Sequence, residues 1–132
     1  MIPTIPRPIL DFDVPTYGGS VLLYADRAKW NAAEYALSGD TDNKDTVSRG
    51  MVARLIYADG KALYIVGIFC RDPAVIAHEC GHLALFVFDR AGVDPICGNG
   101  EPFCYLLDSL YTTVSQALKK RRPKRRTASQ SV

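Results

Sequence analysis

The chain lacks several things that would assign it quickly. No apolar run approaches the ~20 residues that cross a bilayer, which excludes a transmembrane helix. No basic-then-apolar leader opens it, because Pro3, Pro6, Pro8 and Pro15 interrupt the start; the expected compartment is therefore the cytoplasm. Its four cysteines, Cys70, Cys80, Cys97 and Cys104, form no Cys-x2-Cys pair, so a zinc ribbon is disfavoured. They read as small buried hydrophobes, with a Cys97–Cys104 bridge open only to an oxidising setting. Acids are missing from residues 119–126, where seven of eight side chains are basic. Residues 1–118 hold nine bases against fourteen acids, a net charge of −5, so a wholly basic nucleic-acid-binding fold is excluded.

What remains is one domain of 132 residues, 48% hydrophobic and 23% charged, enough for a packed core. Residues 1–19 read as a Pro-rich extended arm laid along the body, residues 20–118 as the folded domain, and residues 119–132 as a basic, disordered tail. Within the domain, Ser20–Ala25 predicts a short buried strand. Asp26 is a good N-cap for a helix running to Leu37, before Gly39. Residues 39–50 are a polar loop. Met51–Tyr57 and Ala62–Phe69 flank Asp59-Gly60, a strong hairpin signal. Asp72-Pro73 starts a helix that continues to Arg90 and stops near Gly92. It is apolar on nearly every side, so it is expected to be central and largely buried. A last helix spans about Glu101–Leu118, with Phe103, Leu106, Leu107, Leu110, Val114 and Leu118 on its core face. The expected class is α+β: a small sheet containing antiparallel strands, packed on two helices.

The chemistry concentrates at the only two histidines. His78 and His82 lie four apart, so both imidazoles share one helix face and can hold one metal ion. Glu79 sits between them, rotated about 60° from His82, and can reach a metal-associated water without being a ligand. Two histidines placed at random in such a chain fall four apart in roughly 1.5% of cases, and a glutamate in this slot is rarer by a further ~40-fold. Two core histidines bonded to carbonyls, with Glu79 ion-paired, is the plain alternative. A third protein ligand is expected of a catalytic zinc site. The candidates are acids: Glu101 at the head of the last helix, Asp89, Asp94 and Asp108. Glu101 is preferred, because Asp89 lies about 10.5 Å along the helix axis from His82 and Asp94-Pro95 reads as a turn. Against Glu101, it shares with Tyr105, Asp108 and Thr112 a stripe that reads most simply as a solvent face.

His78-Glu79-Cys80-Gly81-His82 on a helix, with Glu101-Pro-Phe-Cys-Tyr-Leu-Leu heading the next, resembles the zincin metallopeptidases of gluzincin type, in particular their short ImmA/IrrE-like and phage-encoded members. The resemblance covers residues 73–111 in motif and 20–118 in element order, and suits a phage or prophage gene product. It implies a minimal zincin-like fold, Zn2+ held by His78, His82 and Glu101, and Glu79 as the catalytic base. The chain departs from the metzincin pattern: Leu85 stands where a glycine would follow the second histidine. It also lacks an acid one turn after Glu101, where Tyr105 stands instead; Asp108 or Asp89 would then orient the histidines. Tyr105 is a weak candidate for oxyanion stabilisation.

The expected activity is zinc-dependent hydrolysis of a protein or peptide substrate, with Glu79 as general base. The other reading is an inactive binding or assembly protein in which zinc holds two helices together. Lys119–Arg126 offers a contact for nucleic acid or an acidic partner, though no aromatics interleave the bases for stacking. No membrane partner is expected.

Overall fold

The computed structural model of the chain describes residues 4–39 and 47–121. Four strands and three helices follow in the order β1 (Leu10–Asp13), β2 (Ser20–Tyr24), α1 (Arg27–Ser38), β3 (Gly50–Ile56), β4 (Ala62–Ile68), α2 (Pro73–Ala91) and α3 (Glu101–Lys120). The sheet order is β1-β2-β4-β3. β1 pairs antiparallel with β2, β2 parallel with β4, and β3 antiparallel with β4. The α+β expectation is met, with a mixed sheet.

Side-chain alternation builds two cores. Val21 and Leu23 of β2 with Tyr64, Val66 and Ile68 of β4 face α2 and α3. Leu22, Tyr24 and Ile65 face the other way, onto Trp30 and Ala33 of α1. The Trp30 indole is fully buried and donates to the Ile65 carbonyl at 3.0 Å, so the largest side chain of that layer leaves no polar atom unpaired. The molecule is thus layered helix, sheet, helix pair.

The local signals act as read. Asp26 caps α1 through Lys29 N–H at 3.0 Å, and Asp72 caps α2 through Ala74 N–H at 2.9 Å, with Pro73 in the first turn. In the β3–β4 turn Gly60 adopts φ 86°, a value a side chain resists, and Asp59 accepts from Lys61 N–H at 2.9 Å.

Four expectations need correction. The N-terminal arm is not merely laid on the body: Leu10–Asp13 joins the sheet, and Ile9, Leu10 and Phe12 pack against the main core. The last helix passes the expected domain end and reaches Lys120. The helix α2 is buried on one side only. Ile76, Glu79, Cys80, Leu83, Ala84, Val87 and Phe88 are covered, whereas His78, His82 and Leu85 are exposed. One sheet and one neighbouring helix cannot cover a whole cylinder, so apolar composition all round does not imply burial all round. Of the cysteines only Cys80 is buried; Cys97 and Cys104 are exposed, and all four are free thiols. The expected disorder of the tail concerns residues of which 122–132 lie outside the described residues, as does most of the polar loop, 40–46.

Candidate functional site

α2 crosses the sheet beneath β3 and β4, and β3 is one of the two edge strands. The solvent-facing rim of α2 beside β3 carries the histidines. Their Nε2 atoms are 3.1 Å apart and their rings meet edge to face, with centroids 4.7 Å apart. His82 also stacks on Phe86, one turn further, at 6.5 Å. Phe86 is covered in turn by the Arg54 guanidinium of β3 at 4.8 Å, and Arg54 pairs with Asp89 at 2.6 Å. A line from His78 to Asp89 is therefore braced by one arginine from the edge strand.

Glu79 turns inward. It is only 6% exposed and is the one buried charged side chain among the described residues. No hydrogen bond among the described residues reaches its carboxylate. Burial pushes its carboxyl above the usual carboxylate range, while the two imidazoles pull it back down. Its place exists because residue 50 is glycine: a Cβ there would stand 2.6 Å from Glu79 Cγ and 3.0 Å from the Gly67 carbonyl oxygen. Glu79 and His78 form one wall of a cleft of about 470 Å³, with Ala74 and Val75 of α2 and Val47–Gly50 opposite. Cys80, the neighbour, is no nucleophile. Burial, aided by the Glu79 charge, pushes its thiol up to about 12.

The arrangement can be tested against zinc. Two nitrogens on one tetrahedral zinc, each at ~2.0–2.1 Å, lie ~3.3 Å apart. The observed 3.1 Å fits that bite, and it also suits one N–H···N hydrogen bond in the metal-free protein. The exposure of both rings would leave a shared ion facing solvent.

The acids are not gathered with the pair. Among the described residues no group of three or more His, Cys, Asp or Glu side chains is placed to hold a metal ion. α2 continues nine residues beyond His82, about 13 Å at the helical rise, before the chain turns back. Glu101 opens α3 at that far end, and is exposed. Asp108 is exposed on the outer stripe of α3, and Asp94 accepts from Ile96 N–H at 3.0 Å in the connecting turn. Asp89 is engaged by Arg54. Tyr105 is 70% exposed and lines a different cleft, with Pro15, Thr16 and Tyr17 of the arm. The structure thus brings together His78, Glu79 and His82, and leaves Glu101, Tyr105 and Asp108 elsewhere.

Gly50 and Arg54 were not among the residues the sequence singled out. Gly50 reads in sequence as the end of the polar loop rather than the start of β3, and the contacts of both residues with α2 depend on tertiary packing. No family model, curated protein or solved structure matches the chain.

Proposed function

We propose that the protein is a zinc-dependent hydrolase of peptide or other amide bonds, built on a minimal zincin-like plan. The observation that carries this is the 3.1 Å approach of the His78 and His82 Nε2 atoms beside a buried Glu79 at the wall of a cleft. His78 and His82 would hold the ion. Bound there, zinc would polarise a carbonyl and bring the pKa of a water to about 7. Glu79 takes the proton of the attacking water. As the C–N bond breaks, Glu79 delivers that proton to the leaving nitrogen.

The cleft also suggests how substrate is presented. Among the described residues no strand pairs with the outer edge of β3 from Val52 to Ile56. An extended peptide can add there through main-chain hydrogen bonds, with its scissile bond carried toward Glu79.

The test is direct. Purified protein is analysed for bound metal, and cleavage of a fluorogenic peptide mixture is measured with added zinc. The Glu79→Gln variant should keep the wild-type zinc content and lose turnover by ~10²–10⁴-fold. Absence of bound zinc, or wild-type cleavage by the Glu79→Gln protein, overturns the reading.

A further inference from the structure

Most cations of the folded body that lack an ion pair lie at one end; Arg27 and, at the opposite end, Arg90 donate instead to the Ser48 and Gly60 carbonyls. Arg49, Arg54 and Lys61 are neutralised by Asp72, Asp89 and Asp59. No ion pair among the described residues involves Arg7, Lys29, Arg71, Lys119, Lys120 or Arg121. These six come from four separate stretches of chain: the N-terminal arm, the start of α1, the link from β4 to α2, and the end of α3.

The fold collects them at one end. β2 and β4 run parallel, so their C-terminal ends share that end of the sheet. α1 begins there after β2, and α2 begins there after β4. The arm passes by it on the way into β1, with Ile9 N–H bonded to the Leu23 carbonyl at 2.8 Å. α3 returns antiparallel to α2 and finishes there. Two clefts flank its last turn. One, of about 540 Å³, is lined by Arg71, Lys119, Tyr111, Ser115 and the apolar Pro73, Ile76 and Leu118. The other, of about 440 Å³, is lined by Arg7, Lys29, Lys120 and Arg121. No acid lines either cleft. The Ser115 hydroxyl, at the wall of the first, is buried and has no hydrogen-bond partner among the described residues.

A plainer cause exists for part of this. Cations at a helix C-terminus complement its dipole, and Arg71 caps α3 by donating to the Leu118 and Arg121 carbonyls at 2.8 and 3.2 Å. That accounts for Lys119, Lys120 and Arg71. It does not account for Arg7 and Lys29, which belong to other elements and cap nothing.

We propose that this end of the molecule binds the phosphate backbone of duplex nucleic acid without reading its sequence. Folded cations on both sides of the α3 terminus would grip phosphates. Duplex is favoured over single strands because Tyr111 of the first cleft is the one aromatic among the residues lining the two, too little to stack successive bases. A regular array of phosphates matches cations spread over several elements better than one acidic peptide segment would. The inference stands apart from the hydrolase reading, since none of these residues lines the His78–Glu79 cleft.

The experiment uses the full chain and a short labelled mixed-sequence duplex DNA, with affinity followed between about 50 and 200 mM salt. The expected result is binding that weakens steeply with salt. In a Lys29→Gln/Lys120→Gln variant, with the tail intact, the slope should fall in magnitude by ~1.8, about 0.9 per lost contact. A Lys61→Gln/Arg90→Gln variant removes the same charge from the opposite end and should keep the wild-type slope. Thermal melting verifies that both variants are folded. Four results would each overturn the proposal: no duplex binding, an unchanged slope in the Lys29/Lys120 variant, an equal loss in the Lys61/Arg90 variant, or tighter binding to single-stranded DNA, polyglutamate or anionic vesicles than to duplex.

Discussion

Glu79 and Gly50 act as a pair. The carboxylate reaches its buried place only because the first residue of β3 has no Cβ. A methyl group there must displace Glu79 or separate the strand from α2. Gly50→Ala should therefore cost about 1–3 kcal/mol in thermal or denaturant unfolding. It should also reduce peptide cleavage with little loss of zinc, since the atoms nearest a Cβ at residue 50 belong to Glu79 and Gly67 rather than to either histidine. A second residue-scale prediction concerns alkaline pH. Burial, and secondarily the charge of Asp11, raises the Tyr24 phenol above its ordinary value of 10.0; burial raises Tyr64 likewise, against the opposing pull of Arg90 and Arg54. Each proton is held more tightly in the folded state than in the unfolded one. The stability linked to it is complete below the ordinary value and is lost as pH rises through the raised one. Melting temperature should fall from about pH 10 upward, and Tyr24→Phe should flatten part of that fall. At neutral pH the same variant should lose about 1 kcal/mol, because the Tyr24 hydroxyl donates to the Pro6 carbonyl at 2.7 Å. The histidine spacing was legible in the sequence, because helical geometry alone sets which residues share a face. The room made for Glu79 was not, because it depends on Gly50, in a strand well separated from it along the chain.

Elements were legible wherever local chemistry fixes them. The caps at Asp26 and Asp72 and the turn at Asp59-Gly60 depend on a few adjacent residues, and they stand where the chain announces them. β1 was missed because prolines dominate its surroundings, and a four-residue edge strand carries little periodicity. Its role is nonetheless structural. Removing residues 1–13 would strip the pairing from β2 and uncover core contacts made by Ile9, Leu10 and Phe12. A truncated protein should melt at least ~5 °C lower than the full chain, whereas an inert arm would leave the midpoint unchanged. The paired helices carry a further lesson. The approach of α3 to α2 is antiparallel, as the short connection suggests, but the extra turns of α2 beyond His82 set Glu101 at the far end of the hairpin. Sequence distance allowed the contact, and helix length withheld it.

At the scale of the whole molecule, two apolar cores hold the layers together, and neither includes His78 or His82. Chelation should therefore leave the far-ultraviolet circular dichroism and the cooperative melt in place while abolishing cleavage. Zinc at a hundred times its dissociation constant should raise stability by only about 2.7 kcal/mol. Unfolding on chelation would instead indicate a closed structural ion, the role of a zinc-held assembly protein. Among the described residues no helix is long and apolar enough to cross a membrane. Sequence by itself determined the α+β class, the places where helices begin and the hairpin turns, and the shared face of His78 and His82, because each follows from residues within a few positions of one another. Only tertiary structure decided that Glu79 is buried while its histidines are exposed, that Gly50 makes room for it, and that cations from four stretches meet at one end. Those outcomes depend on which surfaces the sheet and helices cover, and covering is a property of the packed layers rather than of any local segment.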